Sequence, residues 1–356
     1  MLVLLAAATA SAQDAVEGGD GPAREASAEA SPDTEASAEA SPETEASIAV
    51  ERKATVIHSQ EDDPENVGTP IFPQVRYRDA VRLSLRSHFV PRSDFGSADV
   101  ALYSPGARLR VTLPVSDRGV LQITGKAGGS HYDFSGTSDL FGLGPTSGDP
   151  IDGLYEALLS LQGAYRINDG GYLFVDGESW SLIGAAYGRS RWEDDNFEQG
   201  STGGGILSLG YQNARLRMAL GARLESRLIG SGVKVTPVGT IRWDPTKRLT
   251  VRNRGIGGQI EYRLTNRLEL FAAGYVTTES FRLVDRAGVA GPLNLRDRQV
   301  LAGVGFEWNL SRYFRINVEG GVVASHTIKV RSDDATLSSL HADPAGYFDI
   351  VIAVRP

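Results

Sequence analysis

Chemistry needs nucleophiles, acid–base groups or metal ligands at workable spacing, and this 356-residue chain offers few of them. It has no cysteine, which excludes thiol nucleophiles, disulfides and Cys-zinc sites. Five histidines stand at His58, His88, His131, His326 and His341. No two are spaced for a shared metal on one strand, and no H-E-x-x-H occurs. A barrel hydrolase would need a Ser, a His and an orienting polar group within hydrogen-bond reach. Ser130-His131 and Ser325-His326 are the adjacent pairs. Adjacent strand residues point to opposite faces, so neither pair forms a dyad by itself. The glycines at 203–205, 255, 257 and 258 are followed by no Gly-Lys-Ser or Gly-Lys-Thr and suit strand bends better than a phosphate loop. Glu193-Asp194-Asp195 and Asp333-Asp334 read as exposed loop acids rather than a cation site. The chain is therefore not expected to be an enzyme, and no cofactor or metal is implied.

The informative set is a two-faced pattern. In Arg215–Leu228, Leu216, Met218, Leu220, Ala222, Leu224 and Leu228 share one face, while Arg215, Arg217, Arg223, Glu225 and Arg227 share the other. A pleated strand sorts residues this way, whereas a helix would scatter the arginines around its circumference. The alternation recurs from about residue 76 to the C-terminus. In a membrane barrel the polar face must point into the lumen, because charge on the lipid face costs ~2–4 kcal/mol at the midplane. That assigns Arg82, Arg86, Arg108, Arg110, Lys126, Arg215, Arg217, Arg223 and Arg227 inward, with Glu156, Glu225, Glu261, Glu269, Glu307 and Glu319. Two readings follow. The charges line a water-filled pore whose basic excess favours anionic solutes, or Arg and Glu pair across the lumen and plug it. The pore is the preferred expectation.

The connections between strands come in two kinds. Val115–Gly119, Ile167–Gly171, Gln212–Ala214, Asp244–Lys247, Thr265–Arg267 and Asn309–Arg312 are short. Pro91–Ala98, Ser135–Asp152, Glu193–Ser201, Val284–Arg296 and Arg331–Ala345 are mostly longer and polar. This alternation is the pattern of an outer-membrane barrel with tight periplasmic turns and longer external loops. Aromatic residues mark both ends. Tyr165, Tyr172, Tyr211, Trp243, Tyr262, Trp308, Tyr313 and Phe314 stand by short turns, and Phe89, Tyr132, Phe134, Trp192 and Phe281 by long loops. Two girdles at headgroup level would result. The strand count is 12–14, depending on whether the short Leu249–Asn253 and its neighbour span.

Ahead of the strands, an apolar start and Ala10-Ser11-Ala12 predict a signal peptide over 1–12, cleaved after Ala12. Residues 1–66 carry 15 acids and 3 bases, so the remaining chain holds 29 acids and 33 bases. Residues 25–47 repeat a decapeptide of Ala, Ser, Glu and Pro that cannot bury a core, which predicts a disordered acidic periplasmic leader over 13–75.

Arg263-Leu264-Thr265-Asn266-Arg267-Leu268-Glu269-Leu270-Phe271, continuing through Gly274-Tyr275 to Ser280-Phe281-Arg282-Leu283, resembles an uncharacterised family of bacterial outer-membrane β-barrels, a domain of unknown function. Leu310-Ser311-Arg312-Tyr313-Phe314-Arg315-Ile316, followed by Glu319-Gly320-Gly321, is a second point of similarity. The resemblance covers about 76–356 and transfers no activity and no site residue. Barrel chains often end in an aromatic, whereas this one ends Val354-Arg355-Pro356. The combined expectation is an all-β, transmembrane antiparallel up-and-down barrel over 76–356, monomeric in fold. Porin-like passage of small solutes is the leading role. A non-conducting barrel for adhesion or envelope organisation is the alternative, with a barrel hydrolase behind it. The partners expected are outer-membrane lipid and the secretion and barrel-assembly machinery, with no nucleic acid.

Overall fold

The computed structural model describes residues 81–355, apart from 97, 117, 142–145, 148–149, 152, 169–177, 195, 229–231, 290 and 333–334. The expected signal peptide, the leader and the first residues assigned to the barrel lie outside the described residues.

Sixteen extended segments follow in order: β1 (Val81–Asp94), β2 (Ala98–Pro114), β3 (Gly119–Ser138), β4 (Thr146–Ser147), β5 (Leu154–Asn168), β6 (Ser179–Glu193), β7 (Ser201–Gln212), β8 (Leu216–Ser226), β9 (Val233–Trp243), β10 (Leu249–Asn253), β11 (Ile256–Arg263), β12 (Leu268–Arg282), β13 (Leu293–Asn309), β14 (Phe314–Ser332), β15 (Ala335–Ala342) and β16 (Ala345–Val354). Neighbours pair antiparallel from β1 through β14. β16 then joins β14 to β1, through Phe314↔Val354 on one side and Leu83↔Val354 on the other. The sheet thus closes on itself as a 14-strand barrel. The two-residue β4 only extends a hairpin from β3. β15 continues β16 along the same edge of β14, interrupted at Asp343-Pro344. A proline there has no N–H to give the ladder.

The barrel wall has two heights. β7 to β11 are 12, 11, 11, 5 and 8 residues long. Three of the five match or exceed the ~9–11 residues of a spanning strand. β10 meets β9 over only Val251↔Trp243 and Arg252↔Arg242. β2, β3, β13 and β14 run to 17, 20, 17 and 19 residues and rise well past that rim. On β12, Ile256↔Val276 is the last pair with β11. The tip of β12 instead leans over the low strands to meet β6 at Arg282↔Trp192. There the β12–β13 loop is pinned. Glu193 accepts from the Val284 amide at 2.8 Å and from Arg286 at 2.6 Å, and Asn196 donates to the Leu283 carbonyl at 3.0 Å.

Three sequence expectations change here. Pro91–Ala98, Val284–Arg296 and Arg331–Ala345 are partly strand, because β1, β13, β14 and β15 extend into them. These extensions put polar residues outward and apolar ones inward, the reverse of the lipid-facing rule, so they read as loops. For the same reason Tyr132, Phe134 and Phe281 do not join a girdle but are buried inside. Glu193 is not an exposed loop acid. It is fully buried beneath the β12–β13 loop.

In the lower part, near the short turns, the outward face is apolar. Leu220 is 65% exposed, and Leu159, Leu207, Val304 and Trp308 share that face. The structure is therefore a transmembrane, outer-membrane type of barrel, apolar outside and polar within.

Candidate functional interior

Side chains on the buried face sort into layers. Next to the short turns the layer is mainly polar and bonded, with one apolar cluster of Val120, Ala164, Ile183 and Ala219. Arg315 pairs with Glu307 at 3.0 Å and Arg263 with Glu269 at 2.8 Å. Gln122 donates to Thr112 at 3.2 Å, and Thr250 donates to Asp244 at 2.6 Å. The Arg242–Asp244 pair closes at 3.3 Å.

The middle layer is a belt of charge. Glu156 receives Lys126 at 2.7 Å and Arg191 at 3.1 Å, and Arg191 reaches Glu279 at 3.6 Å. Arg252 pairs with Glu261 at 2.6 Å. Arg86 holds Asp349, with His88 beside it at 3.4 Å. Glu319, 1% exposed, accepts from Arg254 at 2.6 Å and from Tyr347 at 2.5 Å. Arg254 also lies 3.9 Å over the Tyr275 ring. Gly303 makes room for this knot, since a Cβ there would collide with the Tyr347 hydroxyl. A cavity lies against the belt, bounded by Arg86, His88, Lys126, Glu156, Tyr275 and Glu279.

Above the belt the interior is dry. Leu154, Leu283, Leu293, Leu295, Ile328 and Val330 are 0% exposed and pack with Phe95, Phe134 and Phe281. Leu140 and Ile151, from the segment between β3 and β5, complete this cap. One polar cluster is buried in it. Tyr132 donates to Asp297 at 2.5 Å, and His326 lies 2.9 Å from the same carboxylate.

The expected inward residues fall as follows. Arg82, Glu156, Glu261, Glu269, Glu307 and Glu319 are buried on the inner face. Arg86, Arg108, Arg110, Lys126, Arg217, Arg223 and Glu225 share that face and are half-buried. Arg215 and Arg227 lie just beyond the ends of β8 and are exposed. The belt brings Arg86, Lys126, Glu156, Glu261 and Glu319 into ion pairs, and Glu225 pairs with Arg189. Their partners Arg189, Arg191, Arg252, Arg254 and Asp349 were missing from the sequence assignment. Strand parity would have placed Arg189, Arg191, Arg252 and Asp349 with their inward neighbours, whereas Arg254 lies in the turn between β10 and β11. Ser130 is buried while its neighbour His131 is exposed, and Ser325 and His326 divide the opposite way. Among the described residues no group of three His, Asp or Glu is arranged to hold a metal.

Packing inside the barrel is lopsided. Along β14 and β16 the inner residues Arg315, Glu319, Asp349, Val351 and Ala353 are buried, with Asn317 and Gly321 half-buried between them. Along β8 and β9 most are not, although Ala219 and Arg242 are buried. Arg217, Gly221, Arg223, Glu225, Thr236, Val238 and Thr240 are half-buried, and Lys234 is exposed at the low rim. The interior is therefore less tightly packed along the upper part of the β8–β9 wall than along β14 and β16. Arg217 and Arg242 stand directly opposite each other at the lower end of this wall.

No family model and no curated protein matches the chain. Solved structures with similar strand arrangement include the translocator domain of autotransporter NalP from Neisseria meningitidis, at 14% identity and TM-score 0.27, covering 78% of this chain and 88% of that one. An outer membrane channel from Pseudomonas putida F1 aligns at 11% identity and TM-score 0.38, over 82% of this chain and 98% of that one. A mutant of the TodX monoaromatic hydrocarbon channel aligns at 10% identity and TM-score 0.35, over 78% and 89%. The fold assignment rests on the chain's own geometry, a sheet closed through β16 with apolar residues outside and charges within.

Proposed function

We propose that the protein is a bacterial outer-membrane channel for the restricted passage of small solutes, with the short turns in the periplasm and the low rim facing out. The observation that carries this is the loosely packed inner face of β8 and β9, where Gly221, Arg223, Glu225, Thr236, Val238 and Thr240 are half-buried above the buried Ala219 and Lys234 is exposed at the low rim. The dry cap fills the upper barrel, so a straight axial pore is not the route. A side route along the β8–β9 wall bypasses the cap. Its lining carries Arg217, Arg223 and Lys234 against Glu225, a basic excess that favours anions. The Arg217–Arg242 pair narrows the lower end, and two like charges placed opposite each other attract a passing counter-ion.

Planar-bilayer recording of the folded full-length protein tests the proposal. A small steady conductance with anion preference in a salt gradient is expected. Thr236→Trp, which fills the loosely packed face, should abolish most of it without changing heat-modifiability on gels. A folded barrel that conducts no more than the bare bilayer would make the protein a non-conducting, surface-binding barrel instead.

A further inference from the structure

Outside the barrel, one patch breaks with its surroundings. On β13 the outward residues above Trp308 are Phe306, Val304, Ala302 and Val300, all apolar. The next two outward positions are Arg298 and Arg296, both exposed. Ten residues separate Trp308 from Arg298. At about 3.3 Å per residue and a tilt of about 40°, that is roughly 25 Å, the height of a barrel's apolar band. The arginines thus begin where the hydrocarbon ends.

Neighbouring strands add to them at the same height. Arg296 pairs across with Lys329, Asn294 with Arg331, and Arg298 with Thr327 on β14. On the other side Arg298 faces Thr278 and Arg296 faces Ser280 of β12. On β15, Ser339 stands opposite Lys329 and His341 opposite Thr327. The neighbouring acids Glu279 and Asp297 point inward, and the exposed Asp343 lies one step further along the outward row of β15, past His341. Directly paired side chains have Cβ atoms about 4.5–5.5 Å apart and diagonal ones about 7–8 Å, so Arg296, its partner Lys329 and Arg298 two residues along gather with their flanking hydroxyls around one headgroup phosphate. The Arg296 guanidinium is held below its ordinary pKa, first by partial burial and then by the charges of Arg298 and Arg331. Like charges set opposite each other in a sheet are destabilising unless something neutralises them.

We infer that Arg296, Arg298 and Lys329 form a binding site for the phosphate groups of an anionic lipid in the outer leaflet. The patch adjoins the upper edge of the apolar band, so a lipid whose chains lie along Val300, Val304 and Phe306 presents its headgroup phosphates at this level. Guanidinium pairs bind phosphate oxygens bidentately, and the Thr278, Ser280 and Ser339 hydroxyls supply neutral donors beside them. The inference is independent of solute passage and rests only on the outward facing of this end of the barrel. Binding to purified protein reads the patch itself, whereas surface labelling of Arg296→Cys on intact cells reads the facing.

The test uses full-length protein in uncharged detergent, titrated with bis-phosphorylated lipid A, with the same lipid stripped of phosphate, and with inorganic phosphate. Retention by native mass spectrometry and the temperature of barrel unfolding are both read. Wild type should retain the phosphorylated lipid and unfold at higher temperature with it. The phosphate-free lipid should be retained weakly, and millimolar phosphate should leave the transition unmoved. Arg296→Gln/Arg298→Gln/Lys329→Gln should weaken retention of the phosphorylated lipid by about tenfold or more. Should that variant fail to fold, Arg298→Gln/Lys329→Gln serves the same purpose. Equal retention of both lipids by wild type, unchanged retention by a folded variant, or full mimicry by inorganic phosphate would overturn the site.

Discussion

The two tiers of this barrel solve opposite problems with the same strands. Below, next to the short turns, the sheet is apolar outside and polar inside, and ion pairs and hydrogen bonds occupy the interior. Above, the same strands carry polar residues outside and a dry apolar cap inside, as a water-soluble β-domain does. β13 shows the inversion on one strand, with Val304 and Phe306 outside in the lower tier and Leu293 and Leu295 inside in the upper. The junction is irregular where the roles exchange. The β1–β2 ladder shifts register between Val90 and Ser93, and the β13–β14 ladder shifts between Val300 and Leu301. Pro105 lies in a gap of the β2–β3 ladder, and Pro344 separates β15 from β16. A bulge lets a strand change inner parity without leaving the sheet. On β14 the inner residues are Glu319 and Val323 below, and His326, Ile328 and Val330 above. The solvent outside the wall changes at that height, and the sequence changes face with it.

If the cap is a dry core, Leu295→Arg is the most damaging substitution considered. Leu295 is 0% exposed, and the inward carboxylate two residues along β13, Asp297, is already held by Tyr132, Gln299 and His326. The expected cost is about 4–5 kcal/mol or more, read as loss of the folded, heat-modifiable band or a large drop in the urea midpoint. A variant that folds as well as wild type would show that the cap is hydrated. Arg254→Met tests the lower tier's reliance on ion pairs. It strands Glu319, which is 1% exposed, with only tyrosine hydroxyls for partners. Removing one member of a buried pair costs ~3–5 kcal/mol, and Arg254→Met/Glu319→Leu should recover much of the loss. If the double variant is no better than the single, the pair is not what holds this wall.

The lower tier was largely legible in the sequence, for a physical reason. Lipid outside forces apolar residues onto one parity, so Leu216 to Leu224 announced their face and Arg217 and Arg223 the other. The upper tier was not legible, because its strands obey the rule for water. Leu293-Asn294-Leu295-Arg296 is as regular an alternation as any, yet its inward set is apolar, and beside a membrane pattern it reads as a polar loop. Tyr132 and Phe281 failed the same way, since an aromatic near a strand end fits a girdle or a core equally well. Alternation would have turned Arg191 and Asp349 inward, but the pairing of Asp349 with Arg86 needs the β1–β16 closure and that of Arg254, in the β10–β11 turn, with Glu319 needs the position of β14, which no single strand's pattern carries. Nor did loop length alone separate the two ends, since the β14–β15 connection spans only residues 333–334.

Matching the cap substitution on the lipid face sharpens the contrast. Leu220→Arg places the same charge on a 65% exposed outward site of β8. The expected cost is ~2–4 kcal/mol near the bilayer midplane, smaller than at Leu295 because a surface arginine can reach toward water at the interface. The difference between the two variants should shrink in a short-chain detergent, which hydrates the outer face and leaves the cap unchanged. Equal losses at the two sites in both solvents would mean that Leu220 is packed against protein rather than lipid.

The smallest effect is expected at Arg217→Leu, three residues from Leu220 toward the short-turn end and on the opposite face. Arg217 is half-buried and stands opposite Arg242 across β8–β9. Deleting one of two facing like charges relieves repulsion, and this offsets the hydration that the guanidinium loses to an aliphatic side chain. Arg242 keeps its Asp244 partner at 3.3 Å. The net change in unfolding free energy should stay below about 1 kcal/mol, since no buried charge is left uncompensated. Ion preference should respond more than stability does. With one of the two cations at the narrow end of the β8–β9 route removed, the reversal potential in a salt gradient should move toward that of an unselective pore. A stability loss as large as that of Leu220→Arg would reverse the facing of β8. An unchanged reversal potential in a conducting variant would move the selective contact away from the Arg217–Arg242 pair.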